Sequence, residues 1–175
     1  MKLIAITILF FLANFSFSQT KIITSKQTFS KNNFQIQYPY NWSLDTSKVM
    51  GSEFFLFSPF EGESDKFREN INGIIQDWGG ENIDLQKYKE ITDKQINQTL
   101  NGVKVLQSSI VKKDSNAYFQ ILYTMIQGKL KLKITSICYI NDGKAYLVTF
   151  SSEVAKYLKY KKVADEILNS FLIVK

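Results

Sequence analysis

The chain has 175 residues, 45% of them apolar and 14% aromatic, and a net charge of +6 at pH 7. This composition is typical of a packed globular domain and argues against intrinsic disorder. Histidine is absent, which excludes Ser-His-Asp and Cys-His catalysis and the histidine-containing zinc motifs. The basic surplus favours contact with acidic surfaces, but no nucleic-acid-binding motif accompanies it. We therefore expect no nucleic-acid partner.

The first predicted element is a signal peptide over residues 1–18. Lys2 precedes a run over residues 3–13 that is apolar except for Thr7, and Ser16 and Ser18 supply the small side chains that signal peptidase requires. The apolar run is too short to span about 30 Å of hydrocarbon. We therefore expect a secreted protein, periplasmic or extracellular, whose mature form has no transmembrane span.

Cys138 is the single cysteine. It lies far from the cleavage point, so the protein is not expected to be a lipoprotein, and one cysteine permits no intramolecular disulfide. Strand alternation places Leu130, Leu132 and Ile134 on the same face as Cys138. We therefore predict that Cys138 is a buried core residue rather than a nucleophile.

The chain is interpreted as a short polar lead over residues 19–32, followed by one domain over residues 33–175. Alternating or aromatic-rich segments predict strands over residues 34–38, 42–44, 53–57 and 70–78. Pro39 ends the first of these strands, because proline has no backbone N–H for a sheet ladder.

The sequence of the second half of the domain predicts a helix, a meander of four strands and a final helix. Asp84 can cap a helix that extends to Leu100. The four strands of the meander are predicted over residues 103–112, 118–127, 129–140 and 145–151, with Asn141-Asp142-Gly143 as a hairpin signal. The final helix carries an apolar stripe at Tyr160, Val163, Ala164, Ile167, Leu168 and Phe171. The predicted fold class is α+β, an antiparallel sheet flanked by helices in a single domain.

Four short motifs resemble the PsbP-like family, which includes bacterial PsbP-related and DcrB-type envelope proteins. In order along the chain they are residues 34–42 (FQIQYPYNW), 69–72 (ENIN), 143–150 (GKAYLVTF) and 167–171 (ILNSF). The resemblance implies a PsbP-like α/β/α sandwich. It implies no activity, because most bacterial relatives lack an assigned one, and the histidine ligands of some plant members have no counterpart here.

An acidic loop is the candidate metal site. Glu61, Glu63 and Asp65 could supply oxygen ligands to a hard cation such as calcium. Their spacing does not fit the EF-hand pattern, and acidic loops are usually only solvated. Paired carboxylates could instead serve glycoside hydrolysis. Apart from this possible calcium, no cofactor is predicted.

A row of lysines is the candidate partner-binding site. Strand alternation places Lys129, Lys131 and Lys133 on one face. Such a row can steer anionic partners, although lysines on edge strands also prevent aggregation between sheets.

The sequence carries no catalytic motif, so we predict a non-enzymatic protein. It is expected to be a secreted accessory or interaction module of the cell envelope, a monomer that binds a protein or an anionic envelope component. The alternatives are a carboxylate-dependent hydrolase, which requires two acids in one pocket, and a carrier of a small apolar ligand, which requires an enclosed aromatic cavity.

Overall fold

The computed structural model describes residues 25–31, 33–113 and 116–174. In chain order the strands and helices are β1 (Lys26–Lys31), β2 (Phe34–Pro39), β3 (Ser43–Asp45), β4 (Phe54–Phe57), β5 (Asn70–Asp77), α1 (Leu85–Thr99), β6 (Lys104–Lys113), β7 (Asn116–Gln127), β8 (Leu130–Asn141), β9 (Lys144–Glu153), α2 (Tyr157–Asn169) and β10 (Leu172–Ile173). The predicted signal peptide lies outside the described residues.

The strands form two antiparallel sheets. The larger sheet has seven strands in the order β3-β4-β5-β9-β8-β7-β6, and the smaller has three in the order β1-β2-β10. The predicted meander forms β6 to β9. Its last hairpin turns at Asp142 and Gly143, which both have positive φ, at 48° and 70°. This is the backbone conformation that the Asn-Asp-Gly signal favours.

A hydrophobic core lies on each face of the large sheet. On one face, α2 and the small sheet pack over Tyr146, Val148 and Phe150 of β9. On the other face, α1 packs over β6, β7 and β8. Helices on both faces of an antiparallel sheet confirm the predicted α+β sandwich. Neither helix in the described residues is long and apolar enough to cross a membrane.

Cys138 lies in the core beneath α1. It is fully buried, and Leu132 and Ile134 of the same strand face are buried with it. Burial raises the pKa of the Cys138 thiol to about 12, so the thiolate is scarce at neutral pH. The predicted strand phase and core position of Cys138 are confirmed.

Strand β1 was not predicted from the sequence, and it lies within the segment interpreted as a polar lead. Its sequence KQTFSK is mostly exposed and has one apolar side chain, Phe29. The ring of Phe29 packs edge-on against Phe34 at 5.9 Å and Phe54 at 5.8 Å between ring centroids. Pairing with β2 and this single aromatic anchor therefore hold an otherwise polar edge strand.

Candidate functional site

Lys156, immediately before α2, lies at the centre of a carboxylate cluster. Its ammonium is 2.6 Å from Asp65 Oδ1, 3.3 Å from Glu61 Oε2, 3.7 Å from Glu153 Oε2 and 4.0 Å from Glu69 Oε2. The Lys156 side chain is 22% exposed. The lysine thus neutralises acids from the β4–β5 loop and from the end of β9, and fastens that loop to the start of α2.

Glu69 is the innermost member of this carboxylate cluster. Its side chain is fully buried, and Oε1 accepts hydrogen bonds from Ser152 Oγ at 3.4 Å and from the Glu153 backbone N–H at 3.3 Å. Oε2 has no hydrogen-bond partner among the described residues. Burial raises the pKa of Glu69 above its ordinary value, because a buried carboxylate loses hydration that two weak hydrogen bonds do not replace.

Two of the three predicted metal ligands belong to the carboxylate cluster. Glu61 and Asp65 approach Lys156, whereas Glu63 is exposed and lies outside the cluster. No group of three or more acidic or cysteine side chains in the described ranges is arranged to hold a metal ion. A lysine ammonium lies where these acids converge, and calcium binding at Glu61, Glu63 and Asp65 stays a prediction.

Glu61 and Asp65 are stabilised in their charged form. Hydrogen bonds from Lys159 and Tyr160 lower the pKa of Glu61 to about 2, and the hydrogen bond from Lys156 lowers the pKa of Asp65. Neither carboxyl group is therefore suited to deliver a proton near neutral pH.

We expect the free energy of unfolding to depend less steeply on pH in Glu61→Gln than in the wild type at acidic pH. The folded-state pKa of Glu61 lies below its ordinary value of 4.5, so its contribution is complete above about pH 4.5 and is lost as the pH falls towards about 2. The difference in unfolding free energy between wild type and Glu61→Gln should shrink over that window. Urea denaturation at several pH values measures it.

Glu63→Gln is the matched control, because Glu63 is exposed and lies outside the carboxylate cluster. Its profile should run parallel to that of the wild type. A Glu61→Gln profile that also runs parallel would contradict the assigned role of Glu61.

The predicted lysine row forms part of a wider basic surface on β6, β7 and β8. Register places Lys104, Thr124 and Lys133 in one cross-strand row. The next row places Ile126 beside Lys131, and the Lys131 carbonyl accepts a hydrogen bond of 2.9 Å from the Val154 N–H. Directly opposite residues of an antiparallel pair share a face. These side chains therefore lie together on the face of the sheet that also carries α2.

Two lysines differ from the sequence analysis. One predicted lysine, Lys129, lies off the shared face, and Lys104, which was not predicted, lies on it. Lys131 and Lys133 share a face, but Lys129 lies in the turn before β8. Lys104 was missed, because the register that aligns it with Lys133 spans three strands and is not visible in the sequence. A role of these lysines in partner binding stays a prediction.

This surface combines unpaired positive charge with exposed apolar side chains. Ile126 is 37% and Val154 45% exposed. The Lys133 ammonium lies 4.2 Å from the centroid of the Tyr157 ring at the start of α2. We call Lys104, Lys131, Lys133, Ile126 and Val154 the basic apolar surface.

Acidic side chains are scarce around the basic apolar surface. Between Val103 and Asn141 the sequence has six lysines and a single acid, Asp114. Lys104, Lys131 and Lys133 form no ion pair with any carboxylate of the described residues. Their charge is therefore available to a partner.

Comparison with known families matches residues 24–173 to the model of the PsbP family. The chain belongs to the PsbP family. The match covers nearly all of the described structure and includes β1, and it confirms the resemblance inferred from the four short motifs. A comparison with curated proteins finds no match.

Solved structures share the fold of this PsbP-family chain at low sequence identity. The cyanobacterial PsbP (CyanoP) of Synechocystis sp. PCC 6803 has a TM-score of 0.62 and 17% identity, over 86% of this chain and 94% of that one. LpqN of Mycobacterium tuberculosis, described as involved in cell envelope biogenesis, has a TM-score of 0.62 and 10% identity, over 86% and 91%. Protein PA94 of Pseudomonas aeruginosa has a TM-score of 0.61 and 10% identity, over 86% and 97%. At such identities the likeness shows the fold alone.

Proposed function

We propose that this PsbP-family protein is a secreted, non-enzymatic accessory module of the cell envelope that acts by binding an anionic partner. The observation that carries the proposal is the basic apolar surface, where three lysines that form no ion pair among the described residues lie beside exposed aliphatic side chains. Unpaired charges of one sign steer oppositely charged partners and accelerate their association. The likeness to LpqN, a protein described as involved in cell envelope biogenesis, supports the location.

The state of the carboxylates favours binding over hydrolysis. A carboxylate-dependent hydrolase needs an acid of raised pKa that can touch its substrate. Glu69 has the raised pKa but is fully buried behind Lys156. Glu61 and Asp65 have lowered pKa values and are bound to lysines, and the Asp65 side chain is itself only 1% exposed.

The packing of the aromatic side chains disfavours a carrier of small apolar ligands. The void beside Phe34, Phe54 and Phe171 has a volume of about 10 Å³. Ligand pockets commonly measure about 300 to 1,000 Å³. The many phenylalanine and tyrosine rings in this region pack against one another, which supports a solid core.

The proposed function is tested by reversing charge on the basic apolar surface. Lys104→Glu/Lys131→Glu/Lys133→Glu should bind a washed cell-envelope preparation about a hundredfold more weakly than wild type, since each lysine near an anionic surface contributes about 1 kcal/mol. Cosedimentation measures binding. Thermal denaturation should show only a small fall in Tm, because Lys104 and Lys131 are exposed and the lost contact between Lys133 and the Tyr157 ring contributes about 1 kcal/mol.

The matched control is Lys66→Glu/Lys87→Glu/Lys94→Glu, which makes the same change in net charge at exposed lysines outside the basic apolar surface. It should bind far more strongly than the first triple variant. Equal loss in the two variants, or wild-type binding that is insensitive to salt, would contradict the proposal.

A further inference from the structure

We propose that the anionic partner is an extended, acidic segment of an envelope protein, which adds to the large sheet as a further strand along the free edge of β6. This inference rests on the proposed function and specifies its partner.

Strand β6 is the longest free edge in the described structure. It ends the large sheet and pairs with β7 alone. It has ten residues, whereas β3 at the other end of that sheet has three, and the edge strands β1 and β10 of the small sheet have six and two. Natural proteins commonly keep edge strands short, because a row of unpaired N–H and C=O groups is a template for another strand. Ten residues therefore leave room for a complete strand beside β6.

The outward backbone groups of β6 have no partner among the described residues. Backbone groups of successive residues in a strand point to opposite sides, so the ladder with β7 occupies only half of them. No other backbone hydrogen bond reaches residues 104–113, and the side chains of Gln107 and Ser108 bond to Ser109 Oγ and Asp93 rather than to the backbone. The free groups are therefore available to an added strand.

Helix α1 holds β6 in place without pairing with its edge. Val105 packs in the core beneath the helix, and Ser108 Oγ donates a hydrogen bond of 2.7 Å to Asp93 of α1. A bulge between Val105 and Gln107 leaves Leu106 45% exposed. Extended peptides that add to a sheet edge take affinity from the backbone ladder and specificity from such side chains.

The charges of β6 disfavour a second copy of this chain and favour an acidic strand. Its sequence KVLQSSIVKK has no acid, and all its lysines lie at the two ends. If two copies of β6 paired antiparallel about Ser108, Lys104 of each would lie opposite Lys112 of the other. Directly opposite like charges are destabilising, whereas opposite charges stabilise the pair. A segment with acids at its ends and an uncharged centre therefore complements β6.

The free edge distinguishes a polypeptide from other anionic components of the envelope. Phospholipid headgroups and acidic polysaccharides can meet the lysines, but neither carries the regular row of N–H and C=O groups that completes a β-ladder. Lys104 belongs both to β6 and to the basic apolar surface. An acid of the added strand beside Lys104 therefore extends the cross-strand row that runs from Lys104 to Lys133.

The first test is amide hydrogen exchange of the protein bound to the washed cell-envelope preparation. The amides of β6 outside the β7 ladder should exchange at least about tenfold more slowly than in the free protein, because new ladder hydrogen bonds protect them. Strand β1 is the control, since it is an edge strand whose Lys26 and Lys31 already pair with Glu166 and Glu53. Bound protein with unchanged exchange in β6, or with equal protection of β1, would overturn the strand addition.

Lys112→Glu separates edge binding from binding to the sheet face. Lys112 is exposed on β6 and lies outside the basic apolar surface. Its reversal should weaken envelope binding about tenfold, since like charges facing each other across an interface are costly. Lys66→Glu makes the same charge change at an exposed lysine of the β4–β5 loop and should bind like the wild type. Equal binding of the two variants would overturn the proposed role of the edge.

Protease treatment of the envelope preparation separates the two levels of the proposal. Digestion, followed by inhibition of the protease and washing, should abolish binding because it removes polypeptide partners and leaves lipids and polysaccharides. Undiminished binding after digestion would overturn the acidic-segment inference, and the proposed function would stand. If the wild type does not bind the untreated preparation, both are overturned.

Discussion

Phe171→Ala should lower the free energy of unfolding by about 3 to 5 kcal/mol, the usual cost of truncating a buried phenylalanine. Phe171 follows α2 and is 7% exposed. Its ring stacks on Phe34 of the small sheet at 5.6 Å and on Tyr139 of the large sheet at 5.9 Å. The side chain therefore bridges the two sheets at the end of the helix, and its loss opens a cavity between them.

Urea denaturation measures this loss, and the next residue provides the control. Leu172 is 47% exposed, so Leu172→Ala should change the unfolding free energy by less than about 1 kcal/mol. Phe171→Leu retains much of the volume and should cost less than Phe171→Ala. A similar small loss in all three variants would show that Phe171 does not join the sheets.

The sequence predicted those parts of the fold that are encoded in local patterns. The stripe through Tyr160, Ala164 and Ile167 identified the buried face of α2, because residues three or four apart lie on one side of a helix. The dipeptide Asp142-Gly143 located the last hairpin, because both residues take positive φ in the structure. Such signals need no knowledge of distant contacts.

Strand β1 carries no comparable signal. Only Phe29 in KQTFSK is apolar, so neither strand nor helix periodicity emerges. The segment becomes a strand because it pairs with the whole of β2. Its conformation is therefore determined by a tertiary partner that sequence patterns do not identify.

The carboxylate cluster was predicted only in part, because it too depends on contacts between residues that are distant in the chain. The acidic loop predicted Glu61 and Asp65 as site residues. Their partner Lys156 lies 91 residues beyond Asp65 in the chain, so the sequence does not reveal the contact. Glu69 and Glu153 join the cluster only because β5 pairs with β9. Whether such acids meet a metal ion or a lysine depends on this pairing, which no local spacing reveals.

Lys156→Met should lower the free energy of unfolding by about 3 kcal/mol, because it leaves the buried carboxylates of Asp65 and Glu69 without their compensating charge. Lys159→Met is the control, since Lys159 is 63% exposed and, among the described residues, forms an ion pair with Glu61 alone. Its loss should stay below about 1 kcal/mol. Equal losses would contradict a central role for Lys156.

Glu69→Gln in the wild-type background should cost far less than Lys156→Met. The glutamine carbonyl can still accept the hydrogen bonds from Ser152 Oγ and the Glu153 N–H, and the burial of a charge is removed. The double variant Lys156→Met/Glu69→Gln should therefore recover about 1 to 2 kcal/mol relative to Lys156→Met, within the range of coupling measured for residues in contact. Strict additivity of the two changes would show that Lys156 does not compensate Glu69.

The pH dependence of Lys156→Met provides an independent check of the same pair. Because burial raises the folded-state pKa of Glu69 above its ordinary value of 4.5, the folded protein takes up this proton at a higher pH than the unfolded chain does. The Glu69 charge therefore destabilises the folded state above its folded-state pKa, and this cost disappears as the pH falls towards 4.5. Removing Lys156 raises that pKa further, so the penalty of Lys156→Met should shrink on mild acidification. In the double variant with Glu69→Gln this part of the pH dependence should be absent, because no carboxyl group remains at position 69 to be protonated.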